Sequence, residues 1–225
     1  IDLSFSCSKP YQCGFCDYCT RHLPSPSFFD LYGTALHFDK KIDFYKQGKF
    51  KYEDLINEPK IKNPKLIRQI SYCLEEKDTY VDKAGIGEFL NTLSYPLYFL
   101  DFETVRPVIP EYIGTKPYAQ IPFQYSLHYI EKEGGELKHK EFLAESGKDP
   151  RRAIAERLCE DIPINVCVTA YNKSFECSRI EELAETYPDL ADHLLNIESN
   201  IKDLLVPFQS GYYYNKDMGG RISIK

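Results

Sequence analysis

The sequence predicts a mixed α/β fold, a mixed sheet flanked by helices, from three observations. An apolar run, "YPLYFLDFET" at residues 95 to 104, has the character of a buried strand. Two alternating stretches follow it, "IPFQYSLHYIE" and "ELKHKEFLAE". The order then changes to helix, strand and more helix, with Ile180, Leu183, Ala184 and Tyr187 at i, i+3, i+4 and i+7. Three strands, a helix, another strand and further helices imply helices on both faces of one sheet.

Residues 1 to about 50 hold "CSKPYQCGFCDYC", a Pro-containing loop "HLPSPS", and an aromatic, basic stretch without clear periodicity. Residues 51–94 read as a helical connector, with Leu66, Ile67, Ile70 and Cys73 or Leu74 recurring at helical spacing and "IGEFLNTL" as a second short helix. Residues 95–225 read as the main domain. Within it, Phe123, Tyr125, Leu127 and Tyr129 share one face of the second strand. "KDPRRAIAERLCEDI" is a helix with Asp149 as N-cap and Pro150 at its first position. "NVCVTAY" is a buried strand, "SFECSRIEELAETYP" and "LADHLLNIESN" are helices, and "IKDLLVPF" is extended.

At 225 residues, 43% hydrophobic and 14% aromatic, the chain is long enough for one substantial core and an appendage. No apolar run approaches the roughly 20 residues of a membrane span, so a soluble, cytoplasmic chain without membrane contact is expected. It begins at Ile1 with no signal-peptide pattern and is expected to be an internal fragment of a longer polypeptide. The net charge of -6 argues against a broad electrostatic grip on nucleic acid. It leaves room for a nuclease, whose centre is itself acidic.

Four of the eight cysteines, Cys7, Cys13, Cys16 and Cys19, fall in the first 19 residues. Closely spaced thiolates can converge on one ion, as zinc or iron-sulfur ligands. A disulfide knot is the alternative, and it has no other secretory feature beside it. Cys73, Cys159, Cys167 and Cys177 read as buried or half-exposed free thiols.

Alternation puts Asp101 and Glu103 on one side of their strand, roughly 6.5 to 7 Å apart, with Leu100 and Phe102 on the other. Glu176 lies one turn before Ile180, on the inward face of its helix. If the two strands are neighbours, Asp101, Glu103 and Glu176 converge. Three acids at one point need cations to stay ionised, and oxygen donors suit magnesium or manganese. The plainer reading pairs Asp101 with Arg106 and makes Glu176 a first-turn acid favoured by the helix dipole.

These segments resemble the DEDD 3'-5' exonucleases of the ribonuclease H-like superfamily. "FLDFET" is similar to their first motif, and "AYNKSFE" to a second that reads Asn-x-x-Phe-Asp, with Asn172, Phe175 and Glu176 matching and Glu replacing Asp. "KDLLVPF" resembles a later segment and brings in Asp203; Thr104 follows the first motif. Tyr213 and Asp217 have the spacing of the final motif but sit in a glycine-bracketed stretch that reads as a loop. The wider chain resembles bacterial proteins that pair a RecB-type PD-(D/E)XK nuclease half, ending in a cysteine cluster, with such an exonuclease-like half.

The resemblance implies a two-metal-ion 3'-5' exonuclease acting on DNA or RNA. Asp101, Glu103 and a late Asp beyond this chain would hold Mg2+ or Mn2+ ions about 4 Å apart, with Glu176 assisting, and Asn172, Phe175, Thr104 and Asp203 would meet substrate. It also implies iron-sulfur ligation by Cys7, Cys13 and Cys19 with Cys16 spare, and an upstream nuclease half as partner. Zinc bound by all four cysteines is the other expectation. Without the late motif, this chain alone is expected to be weak or inactive. Phe102, Tyr118 and Phe123 are expected to stack on bases or pack in the core. Arg106, Lys116 and Lys173 are candidate phosphate contacts. Two other classes fit the same residues: a catalytically degenerate nucleic-acid-binding scaffold, and a metal-held structural or adaptor module.

Overall fold

The structure, a computed structural model, describes residues 3–9, 11–32 and 36–224; Ile1, read as the start of a fragment, and Pro10 of the cysteine stretch lie outside them. The helices and strands are, in chain order, α1 (Cys16–Thr20), α2 (Phe38–Lys46), α3 (Pro64–Leu74), β1 (Thr79–Val81), α4 (Lys83–Leu90), β2 (Leu97–Val105), β3 (Ile121–Ile130), β4 (Lys138–Leu143), α5 (Arg151–Asp161), β5 (Cys167–Ala170), α6 (Ser174–Thr186), α7 (Ala191–Ser199), β6 (Ile201–Asp203), α8 (Val206–Gln209) and β7 (Tyr213–Asn215). Two compact units result, one of Ala84–Pro207 and one of Ile1–Lys83 with Phe208–Lys225. They divide the chain elsewhere than at the residue 50 and 94 borders read from sequence.

The first unit is a mixed α/β layer. Its five-stranded sheet has the order β4-β3-β2-β5-β6. β2 pairs antiparallel with β3 and parallel with β5, and β5 runs parallel to β6. Tyr98, Leu100 and Phe102 of β2 and Tyr125 and Leu127 of β3 form one core with Ile154 and Leu158 of α5, Ile180 and Leu183 of α6, and Leu194 and Ile197 of α7. The mixed sheet flanked by helices is as expected, and all three of these helices join the core that contains Tyr98, Leu100 and Phe102. β2 is accordingly not buried on both faces: Leu100 and Phe102 are buried, while Asp101 and Glu103 are exposed. β5, at the sheet interior, is buried throughout.

Of the face expected on β3, Tyr125 and Leu127 are fully buried and Tyr129 packs against the same core, but Phe123 is not among its members, because the register shifts at that residue. α5 starts one residue later than expected, with Pro150 at the N-cap. Asp149 still does the capping work, since its Oδ1 accepts from the Arg151 amide at 3.1 Å. "LLVPF" is not extended throughout: Val206–Gln209 is a single helical turn.

Asp161 shows how this unit treats a buried acid. It is 3% exposed. Tyr125 donates its hydroxyl at 2.7 Å, Arg157 donates Nε at 3.1 Å, and Lys140 Nζ lies 3.1 Å away. Three donors from β3, α5 and β4 offset the desolvation of one carboxylate and tie the helix to the sheet.

The second unit has its own apolar centre, formed by Phe28, Leu31, Leu36, Phe44, Tyr52, Leu55, Ile61, Leu66 and Ile70. The stretch read as lacking periodicity contains α2, whose Ile42 and Phe44 are fully buried. On α3 the inward stripe is Leu66, Gln69 and Ile70; Ile67, Cys73 and Leu74 face outward, contrary to the expected stripe. Two strands were missed. β1, inside the supposed helical connector, pairs antiparallel with β7, inside the stretch read as a loop. Three-residue strands carry too little periodicity to register, and their pairing spans more than a hundred residues.

Two measurements check this account. Asp161→Ala is expected to destabilise the protein by about 1–3 kcal/mol in urea unfolding, since it leaves the buried Tyr125 hydroxyl without its acceptor while Lys140 and Arg157 turn to solvent; a loss under about 0.5 kcal/mol would show that the network contributes little. Burial holds the Cys159 thiol at about 11, and burial with Glu198 holds Cys177 at about 12. At pH 8 their thiolate fractions are about one in a thousand or less. Iodoacetamide should leave both unlabelled in the folded chain and label both in urea.

Candidate functional site

β2, β5 and β6 run in the same direction, so their carboxyl ends lie at one edge of the sheet, where open α/β sheets place their ligands. Leu97, Tyr98 and Phe99 pair with Cys167, Val168 and Thr169. Continuing that register two residues sets Asp101 level with Tyr171. Ala170 pairs with Asp203 in turn. The three segments carrying the candidate acids are thus neighbours, as the convergence required.

The turn after β5 is held by Asp203. Its Oδ1 accepts from the amides of Asn172 and Leu205, both at 2.9 Å. Asn172 has φ 61, a left-handed conformation that asparagine tolerates and most residues do not. Its carbonyl accepts from the Phe175 amide and its Oδ1 from the Ser174 hydroxyl, each at 3.3 Å. Burial, and then the Asp203 carboxylate beside it, hold the Tyr171 phenol above its ordinary value. Asn172 and Asp203 therefore build the loop that starts α6.

The carboxylates occupy different environments. Asp101 and Glu103 stand exposed on β2, and Glu176, in the first turn of α6, is 3% exposed. Among the described residues, no group of three or more His, Cys, Asp or Glu side chains is placed to hold a metal ion. The sheet brings the three backbones together without gathering their carboxylates into one ligand set. Phe175 packs against the core with the Arg179 guanidinium 5.5 Å from its ring centroid. Arg179, itself buried, bonds to Glu182 at 2.7 Å and to Gln120.

The register of the β2–β3 pair shifts between Glu103 and Thr104. Gln124 faces Glu103 and Pro122 faces Thr104, leaving Phe123 as the extra residue of a bulge, a device that re-aims side chains near sites. Phe102 is 2% exposed and belongs to the core, so it is not free to stack on a base. Tyr118 is exposed, with φ 61. Arg106 donates to the Tyr118 carbonyl at 3.5 Å instead of pairing with Asp101, and Lys116 is exposed. Lys173 Nζ donates to the Ile201 carbonyl at 3.1 Å and so braces the turn.

Four residues missed from sequence share the face of Asp101. In register, Asp101 lies opposite Ser126 and Ser126 opposite Glu141, while Phe99 lies opposite His128 and His128 opposite His139. The two imidazoles stand 4.4 Å apart, and Ser126 Oγ lies 3.2 Å from His139 Nε2. The alternate polar positions of "QYSLH" and "HKE" carried that signal, but it acquires meaning only with the strand pairing.

In the other unit, Cys7, Cys13 and Cys19 line one cavity of about 520 Å³ with Phe15, Tyr18, Arg21 and His22. None of the eight cysteines is in a disulfide. Cys16, 8% exposed, is not part of that lining. Burial first, then the neighbouring Cys7, Asp17, Cys13 and Cys19, push its thiol up. Three of the four thiols thus line one space, but among the described residues they form no group placed to hold a metal ion. Tyr213 and Asp217, on β7 and in the turn Lys216–Met218, belong to this same unit.

A family profile described as "Domain of unknown function (DUF2779)" matches residues 98–223, more than half of the chain. No curated protein and no solved structure matches it.

Asp203→Ala should lower stability by about 1–3 kcal/mol, because two amides lose a charged acceptor. Asp203→Asn, which keeps an acceptor oxygen, should cost less. Hydrogen exchange at the Asn172 amide should rise in the alanine variant. An unchanged exchange rate would remove Asp203 from its place in the turn.

Proposed function

We propose that this chain, which belongs to the DUF2779 family, is a nuclease of the 3'-5' exonuclease type that hydrolyses terminal phosphodiesters of DNA or RNA. The observation that carries the reading is the meeting of "FLDFET", "AYNKSFE" and "KDLLVPF" at the carboxyl ends of neighbouring parallel strands. A five-stranded mixed sheet with helices is also what the resemblance to ribonuclease H-like proteins implies. In this reading Asp101 and Glu103 are the catalytic carboxylates, open to a terminal phosphate. Asn172, Phe175 and Asp203 set the turn and the start of α6, and Glu176 anchors that helix beside them.

Carboxylate oxygens are the donors that magnesium and manganese take. The acids nevertheless do not form a three-ligand set, so this geometry does not itself hold a two-ion centre. That same observation favours a second reading, in which the domain binds nucleic acid through a degenerate site without turnover. At the cysteines, Cys7, Cys13 and Cys19 would hold an iron-sulfur cluster with a fourth ligand from an upstream nuclease half, or all four with Cys16 would hold zinc, although as placed they do not form a metal-holding group by themselves. Their role there would be structural.

The test uses the full-length protein with manganese or magnesium and 5'-labelled single-stranded DNA and RNA, beside an Asp101→Asn, Glu103→Gln double variant. The expected result is a ladder shortening from the 3' end that falls at least about a hundredfold in the variant, as loss of essential catalytic groups does. Undiminished degradation in the variant would move the activity away from these acids. Binding without degradation, unaltered in the variant, would establish the scaffold.

A further inference from the structure

The unit formed by Ile1–Lys83 and Phe208–Lys225 contains a cavity of about 330 Å³, walled by α3, α8, β7 and the turns that follow it. Lys65, Arg68 and Arg221 line it, and no Asp or Glu does. That is unexpected in a chain with 34 acids and 28 Lys and Arg. The rest of the wall is aromatic and apolar: Phe208 and Tyr213 meet edge to face at 5.8 Å, with Leu66 and Met218 beside them.

The walls are fixed before any ligand arrives. Lys65 Nζ donates to the Gln209 carbonyl at 2.6 Å, and Arg68 to the Gly211 carbonyl at 2.5 Å. Each uses one donor of the three or five that its side chain carries. Gln69, 4% exposed, braces the far side. Its amide donates to the Asp30, Tyr52 hydroxyl and Gly219 oxygens and accepts from the Tyr32 amide. Gly220, at φ 78, passes so close that a Cβ there would lie 2.7 Å from Gln69 Oε1. Such a pre-built space loses little entropy on binding.

Three cations without a carboxylate call for an anion, and guanidinium and ammonium groups suit phosphate. The aromatic wall calls for a flat ring on the same ligand. We infer that this cavity binds a nucleotide, its phosphate toward Lys65, Arg68 and Arg221 and its base against Phe208 and Tyr213. The site does not depend on the acids of β2, and it takes either a free mononucleotide or the terminal nucleotide of a single strand.

The experiment is isothermal titration of the full-length protein with adenosine 5'-monophosphate, adenosine, inorganic phosphate and a 5'-phosphorylated oligonucleotide. The monophosphate should bind at least tenfold more tightly than adenosine or phosphate alone. Arg221→Glu, which disturbs no side-chain bond to the walls, should weaken it at least tenfold, and Lys65→Glu likewise. Lys62→Glu, an exposed cation outside the cavity, should bind as wild type. A mononucleotide that binds while the oligonucleotide does not marks a free-nucleotide site; tighter oligonucleotide binding, with the same losses in the variants, marks a strand end. No binding at millimolar monophosphate, or equal losses in Lys62→Glu and Arg221→Glu, would overturn the inference. Asp101 and Glu103 are not part of the cavity lining, so failure here leaves the nuclease reading to its own assay.

Discussion

The position of β2 at the centre of its sheet, antiparallel to β3 on one side and parallel to β5 on the other, is the constraint on which the Ala84–Pro207 unit depends. Its even-numbered side chains, Tyr98, Leu100 and Phe102, must satisfy the core that α5, α6 and α7 share. The period of two then commits Phe99, Asp101 and Glu103 to the opposite face. A one-residue slip would bury two carboxylates and expose Leu100 and Phe102, so hydrophobic burial and carboxylate hydration enforce the same register. The parallel pairing with β5 and β6 also decides where loops gather, since strands running together deliver their connections to one edge.

Three treatments of acids coexist in this unit, and the contrast gives the functional reading its weight. Asp161 is buried among Tyr125, Arg157 and Lys140, an arrangement that needs nothing beyond the protein. Asp203 accepts two amides and shapes a turn. Asp101 and Glu103 are exposed side by side at the strand end that open sheets use for ligands. Exposure alone would make them ordinary surface acids; their place beside the Asn172 turn makes them a candidate site. Ser126, His128, His139 and Glu141 on the same face add donors and titratable rings around Asp101.

The other unit follows a different logic. Its core mixes aliphatic and aromatic side chains and is built from short helices and turns, with β1 and β7 pairing beside them. Side-chain hydrogen bonds to backbone supply much of its order, as Gln69, Lys65 and Arg68 show. One of its spaces is lined by three thiols on the loop and short helix near the start of the chain, and another by three cations where α3 meets the turns around β7. Loops held by such bonds are where binding residues concentrate.

The mixed α/β class, the strands around Asp101 and Tyr125, the helices carrying Ile154 and Ile180, and the grouping of four cysteines were all legible in the order of residues. Each is a local pattern: a period of two, a period of 3.6, or a short spacing, all fixed by residues close in the chain. Tertiary structure alone decided that α5, α6 and α7 share one core, that Asp101 is exposed while Glu176 is buried, and that Phe102 belongs to the core. It also decided that residues 79–81 meet 213–215 and that Lys65, Arg68 and Arg221 line one cavity. Those outcomes depend on which distant segments exclude water from which face, and local periodicity carries no record of a partner more than a hundred residues away.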